Sequence, residues 1–247
     1  MPKFFVKSEQ IDNNEIKIIG TDVNHIKNVL RLNLKEKIEI TCQDCKETYL
    51  CEINIFDKNS VNCNIIEKLE KLAEPNVYIH IFQGLPKIDK MEWIIEKGTE
   101  IGISEFTPIE MKRCVVKLDE KNKIKKQDRW SKIAEVAAKQ SGRECIPQIN
   151  KPVNIKNIYE NFEKYDIVLV AYEKEEKRNL KNVLMEYKNC SNLKIAVIIG
   201  PEGGIDTEEL KMLVQNGATS ISLGKRILRT ETAPLMISSN IIYEFEE

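Results

Sequence analysis

No stretch of this 247-residue chain approaches the roughly 20 consecutive apolar residues that a spanning helix requires, and its longest apolar runs, Ile167 to Tyr172 and Ile195 to Gly200, are strand-sized. A membrane segment is therefore not expected. The opening Met-Pro-Lys-Phe-Phe-Val turns polar before building the apolar core and small-residue cleavage site of a secretory signal, which points to a cytoplasmic protein. The 7 cysteines are odd in number and form no framework, so free thiols in a reducing compartment are expected. Cys42 and Cys45 make one C-x-x-C, and no second pair accompanies it. A metal there would have to draw on Cys51, Cys63 or His25, so a hairpin turn through Gln43 and Asp44 is the favoured reading and no metal is expected.

Two nucleotide fingerprints, G-x-G-x-x-G and G-x-x-x-x-G-K-[ST], are also absent, which disfavours Rossmann and P-loop sites. Strong basicity is lacking too. A net charge of -1 and a pI near 6.3 do not suit a protein that coats nucleic acid nonspecifically, so an RNA role requires a local patch. One candidate runs from Lys112 and Arg113 through Lys117, Lys121, Lys123, Lys125, Lys126 and Arg129 to Lys132, opposed only by Asp119, Glu120 and Asp128. A solvated lysine-rich face is the plainer account of that run taken alone. No internal repeat or low-complexity tract is present. With 42% hydrophobic and 31% charged residues, the chain has the balance of a globular protein, and its length suits two modest domains.

The first seventy residues read as short strands at Phe4 to Val6, Glu15 to Ile19, Lys37 to Thr41, Thr48 to Ile55 and Val61 to Lys68. One helix interrupts them, from Asp22 to Leu30, with Val23, Ile26, Val29 and Leu30 at helical spacing. This pattern predicts a small barrel-like β domain that ends in the polar segment Glu70 to Asn76. From Val77 strands and helices alternate, the signature of an α/β domain with a parallel sheet. Strands are expected at Val77 to Gln83, Glu105 to Ile109, Asp166 to Tyr172, Lys194 to Ile199 and Thr219 to Ser222. Helices are expected at Lys90 to Ile101, stopped by Gly102, and at Gln127 to Ser141, which aligns Trp130, Ile133, Ala134, Ala137 and Ala138. Another follows Asp206, which with Glu209 resembles a capping box, and buries Leu210, Leu213 and Val214. The last runs from Ala233 to the C-terminus. The expected domains are 1–72 and 73–247.

Chemistry concentrates in two turns. Ile198-Ile199-Gly200-Pro201-Glu202-Gly203-Gly204 is an apolar strand that runs into a glycine-rich turn and then a helix. Ligands of α/β domains sit at such strand ends, and residues without a Cβ let the backbone approach them, although a tight connection is an alternative account. The second turn, Ser222 to Ala233, holds Gly224, Lys225, Arg226, Arg229, Thr230, Glu231 and Thr232 between a strand and a helix. A helix start accounts for the threonines and Glu231 but leaves Arg226 and Arg229 unexplained. Two such turns could face one pocket.

These residues carry a family resemblance. Phe4-Phe5-Val6, His25 with Val29-Leu30-Arg31, Lys90, Glu96-Lys97-Gly98-Thr99-Glu100-Ile101-Gly102, Pro108, Arg129-Trp130, Ala137-Ala138, Gln140-Ser141 and Arg143 contribute to it. So do the Gly200 to Gly204 turn and Leu223-Gly224 with Ile227-Leu228-Arg229-Thr230-Glu231-Thr232-Ala233. Over nearly its whole length the chain resembles the SPOUT class of methyltransferases, and within it the bacterial enzymes that methylate N3 of a uridine in 16S ribosomal RNA. It departs at Pro2-Lys3, where that family usually carries arginine, and at Pro234.

The resemblance implies an α/β fold in which a small PUA-like β-barrel precedes an α/β domain with a C-terminal trefoil knot. It implies S-adenosylmethionine as cofactor, a homodimer, and ribosomal RNA or the small ribosomal subunit as partner. Cofactor contacts are expected from Ala171, Gly200, Pro201, Gly203, Leu223, Gly224, Ile227 and Leu228. Methylation at N3 requires loss of a proton, so Arg229 is expected to stabilise the imide anion and Glu202 or Glu231 to accept the proton. Arg31, Arg113, Lys121, Lys125, Lys126 and Arg143 are expected RNA contacts, while His25 is expected to pack or cap its helix. Ribose 2'-O methylation and a noncatalytic RNA-binding assembly role remain the alternatives.

Overall fold

The computed structural model describes residues 1–70, 73–87 and 89–246. The chain divides into two compact units, Met1–Glu74 with Ala138–Ile146, and Pro75–Ala137 with Pro147–Glu247. The boundary expected at Leu72 lies outside the described residues, as does the final residue of the expected last helix.

In the first unit, β1 (Lys3–Val6), β2 (Ile11–Asp12), β3 (Glu15–Ile19), β4 (Lys37–Cys42), β5 (Glu47–Phe56) and β6 (Ser60–Leu69) form one sheet. Its order is β1-β4-β5-β6-β3-β2, antiparallel except where β1 lies parallel to β4. Strand alternation sets the core: Ile16 and Ile18 of β3 point in, while Glu15 and Lys17 point out. They join Phe4, Ile38, Ile40, Ile53 and Val61. Register shifts between β5 and β6 at Leu50/Cys51 and Ile53/Ile55 bend the pair, as bulges do.

Only α1 (Thr21–Asn24) of the expected helix is regular, and a wider turn continues it over His25–Val29. Widening breaks the apolar stripe, so Val23 and Ile26 are buried while Val29 and Leu30 are exposed. His25 packs edge-on against Phe4, with ring centroids 6.3 Å apart, the structural role expected of it. Residues 43–46 turn the chain between β4 and β5, bringing the Cys42 and Cys45 sulfurs to 2.6 Å.

Arg143 requires a correction. Its guanidinium is only 3% exposed and pairs with Glu74 at 2.6 Å, so its charge is spent inside the unit and no surface is left for RNA. Burial would raise the Glu74 pKa, but Arg143 and the N–H groups of Cys145 and Glu144 hold it below the usual value. Lys3 is likewise buried and donates to the Gly142 carbonyl at 2.9 Å.

The second unit comprises β7 (Tyr78–Gly84), α2 (Lys90–Ile101), β8 (Glu105–Glu110), α3 (Glu120–Ser141, ending in the first unit's segment), β9 (Gln148–Ile149), β10 (Val153–Asn154) and β11 (Ile167–Ala171). It continues with α4 (Leu180–Met185), β12 (Lys194–Ile199), α5 (Thr207–Gln215), β13 (Thr219–Ile221) and α6 (Ala233–Phe245). The sheet is parallel throughout, in the order β10-β8-β7-β12-β11-β13, with β9 on β8. β11 and β12 are almost wholly buried, as expected of central parallel strands covered on both faces.

The five expected strands form, whereas β9, β10 and α4 are too short to leave a periodic trace. α3 begins at Glu120 rather than Gln127; its first turns are lysine-rich and carry little apolar stripe, so the periodicity does not mark them. In α5, Asp206 accepts from the Glu208 N–H at 3.2 Å, but Glu209 accepts from the Lys112 N–H at 2.8 Å instead of completing a capping box. Glu209 and Leu213 therefore form the buried face, and Val214 is exposed. His80 of β7 is buried between Tyr165 Oη at 2.5 Å and Thr107 Oγ1 at 2.7 Å. No described helix is long and apolar enough to cross a membrane.

Candidate functional site

Because β12, β11 and β13 are neighbours, the segments leaving their carboxyl ends converge. They enclose a cavity of about 520 Å³. All eight residues expected to touch a cofactor line it: Ala171 at the end of β11, Gly200, Pro201 and Gly203 after β12, and Leu223, Gly224, Ile227 and Leu228 after β13. The first turn is tight at Gly200, where a Cβ would lie 2.8 Å from Ile205 Cγ1 and 3.0 Å from the Gly204 carbonyl carbon. Gly224 adopts φ +110°, a conformation that side-chain-bearing residues rarely take.

A polar bridge fastens the two turns. The Thr230 hydroxyl donates to the Gly200 carbonyl at 2.7 Å and accepts from the Gln83 amide at 2.9 Å. Gln83, next to last in β7, is fully buried, and its amide also donates to the Gly84 carbonyl at 3.0 Å. The turn after β8 braces the other side: Arg113 donates to the Gly203 carbonyl at 2.9 Å and lies 3.7 Å from Asp206.

Charge gathers at the rim. Lys90, the first residue of α2, lies 3.2 Å from Glu202 and 3.0 Å from Glu231. Glu202 also accepts from the Lys87 N–H at 3.0 Å. Arg229 sits 3.9 Å from Glu231 with its side chain 83% exposed. For both carboxylates burial alone would raise the pKa; backbone N–H groups and Lys90 more than offset it, with Arg229 adding to the effect at Glu231, and both pKa values are lowered. Arg229 and Glu202 line the cavity, and Glu231 stands behind them through Lys90 and Arg229.

The expected RNA contacts fare unevenly. Arg31 is exposed in the first unit, and Lys121 and Lys125 are exposed on α3. Arg113 is tied into the first glycine turn, and Lys126 leans over Trp130, 6.0 Å from the ring centre. Among the described residues ion pairing engages five of the nine cations of the run, Lys112, Arg113, Lys123, Lys126 and Arg129, so the positive excess is smaller than the sequence indicates.

Comparison with known proteins settles the family. An RNA methyltransferase domain profile matches residues 73–242, and an RNA methyltransferase PUA domain profile matches residues 18–66. The chain is 38% identical over 253 residues to the ribosomal RNA small subunit methyltransferase E of Bacillus subtilis, covering 100% of this chain and 98% of the relative. The chain belongs to the ribosomal RNA small subunit methyltransferase E family. A family structure from Neisseria gonorrhoeae bound to S-adenosyl methionine superposes with a TM-score of 0.83 at 25% identity, covering 98% of this chain and 96% of that one. A methyltransferase from Legionella pneumophila in complex with bound SAM superposes equally well, at 0.83 and 28% identity over 97% and 96% of the two chains. The chain thus has a PUA-like N-terminal unit and a parallel-sheet methyltransferase unit.

The sequence places Thr230 in the second turn and Lys90 among the residues of the family resemblance without giving either a role, and it gives none to Gln83. A signal existed for Lys90, since the helix dipole disfavours a cation in the first turn. Gln83 stands in the sequence only as the last residue of the strand expected at Val77 to Gln83.

Proposed function

We propose that this chain transfers the methyl group of S-adenosylmethionine to N3 of a uridine in small-subunit ribosomal RNA. One observation carries the reading: the exposed Arg229 guanidinium stands at the rim of a cavity closed by two glycine turns. A volume of about 520 Å³ lies within the roughly 300–1,000 Å³ typical of small-molecule sites. Ala171, Gly200, Pro201, Gly203, Leu223 and Gly224 would hold the cofactor mainly through backbone groups, and Ile227 and Leu228 would add apolar cover. When bound, S-adenosylmethionine supplies an electrophilic methyl group.

The chain's own residues deal with the nucleophile. Uracil N3 carries a proton at neutral pH, so the imide anion must be generated and stabilised. Arg229 donates hydrogen bonds to the carbonyl oxygens beside N3 and spreads the anionic charge. Glu202 and Glu231 are ionised and so in the form that accepts a proton, but their lowered pKa values make them weak bases, which places most of the demand on Arg229.

N3 lies on the pairing edge, so the target uridine must be unpaired or splayed out when it reacts. Arg31 of the 1–72 domain and Arg113, Lys121, Lys125 and Lys126 of the 73–247 domain would contact RNA phosphates. On this reading the second domain carries the knot, two copies form a homodimer, and the enzyme acts in the cytoplasm on ribosomal RNA or the small subunit. The test is transfer from methyl-labelled cofactor to small subunits lacking the modification, followed by mass analysis of nucleosides. 3-Methyluridine is the expected product; a ribose-methylated nucleoside, or no transfer, overturns the proposal.

A further inference from the structure

We infer that Lys90 is a positioning residue for Arg229, acting through Glu231 by a bridge from the start of α2 to both glycine turns. The inference rests on the methyl-transfer reading above and adds a residue to it. Glu231 uses its two oxygens separately: Oε2 lies 3.0 Å from Lys90 Nζ, and Oε1 lies 3.9 Å from Arg229 Nη1. The same ammonium lies 3.2 Å from Glu202 Oε1, in the first turn. One cation therefore joins three elements at the edge of the cavity that it also lines.

The bridge matters because of what surrounds it. Arg229 is a long, exposed side chain with many rotamers, and its ion pair among the described residues is with Glu231. A carboxylate fixed from behind narrows where that guanidinium can point. Lys90 occupies a position where the helix dipole opposes a positive charge, so its own helix does not call for it. Without its charge, Glu202 and Glu231 would face each other across the rim as like charges with no cation between them, which loosens the second turn.

The test compares Lys90→Met, which keeps the apolar stem, with Lys90→Arg, which keeps the charge. With RNA saturating, K90M is expected to lower kcat about 10- to 100-fold, the scale of a misplaced catalytic group, while KM for S-adenosylmethionine moves less than about threefold. K90R is expected to recover most of the loss. In a Glu231→Gln background, K90M should cost much less than in the wild type, because most of its effect runs through that carboxylate. A readout independent of turnover is carbon-13 NMR titration of the Glu231 carboxyl in the RNA-free protein, where K90M should raise its pKa. Wild-type kcat in K90M, fully additive losses in the double variant, or an unmoved Glu231 titration would each overturn the inference. Failure of the wild-type protein to make 3-methyluridine overturns the methyl-transfer reading instead, and the carboxyl titration still decides whether Lys90 fixes Glu231.

Discussion

Arg229 reaches out from the turn it belongs to, so its removal leaves the packing around the cavity in place. Arg229→Ala is expected to lower kcat by about 100- to 1,000-fold, the scale of losing one donor to a developing anion. Cofactor affinity by calorimetry should stay within about threefold; a variant with near-normal turnover would strike this residue from the mechanism. His80 offers a test unrelated to the cavity. Burial drives its pKa down to about 4, against a smaller opposing pull from Glu105 3.3 Å away. The folded ring is neutral where the unfolded ring titrates near 6.5, so between pH 6.5 and 4 the unfolded chain binds the proton first. Stability is therefore intact above pH 6.5 and lost as pH falls toward 4, by on the order of 3 kcal/mol for a shift of this size. Urea midpoints across that window should fall in the wild type and flatten in His80→Gln; parallel slopes would refute the assignment. At this scale the sequence was legible where residues stand on turns, as Glu202 and Arg229 do. It was opaque for Gln83, Lys90 and Arg143, whose partners Thr230, Glu231 and Glu74 lie 147, 141 and 69 positions away.

Among the elements, α3 combines two demands. Its apolar stripe seats Trp130, Ala134 and Ala137 in the interior, while Lys121 and Lys125 remain at the surface. Reversing Lys121, Lys125 and Lys126 to glutamate should weaken RNA binding and flatten the log–log salt dependence by about 2, if each contacts one phosphate of a single strand. Lys126 is expected to contribute least, because it already leans on Trp130 and lies 4.0 Å from Glu92. An unchanged salt slope would mark the run as a solvated face. Elements with a clean period were readable: α2 was placed at its observed bounds, and β12 likewise. The widened turn after α1 and the lysine-rich start of α3 were not, because local spacing does not report how tertiary packing resolves a mixed pattern. The diverted Glu209 makes the same point, since its side chain serves the Lys112 N–H rather than its own helix.

For the molecule as a whole, alternation predicted a parallel sheet but gave no strand order. The site depends on that order, because only the adjacency of β12, β11 and β13 turns two distant glycine segments into one cavity. The first unit holds a comparable surprise. It is not one continuous stretch: residues 138–146 return to it and supply the guanidinium that neutralises Glu74, along with the carbonyl that receives Lys3. An isolated N-terminal fragment ending at Glu74 would carry a half-buried acid without its counter-ion, and one ending at residue 72 would lose both partners of the pair. Any attempt to assay that module by itself should splice in the missing nonapeptide, or work with the intact polypeptide.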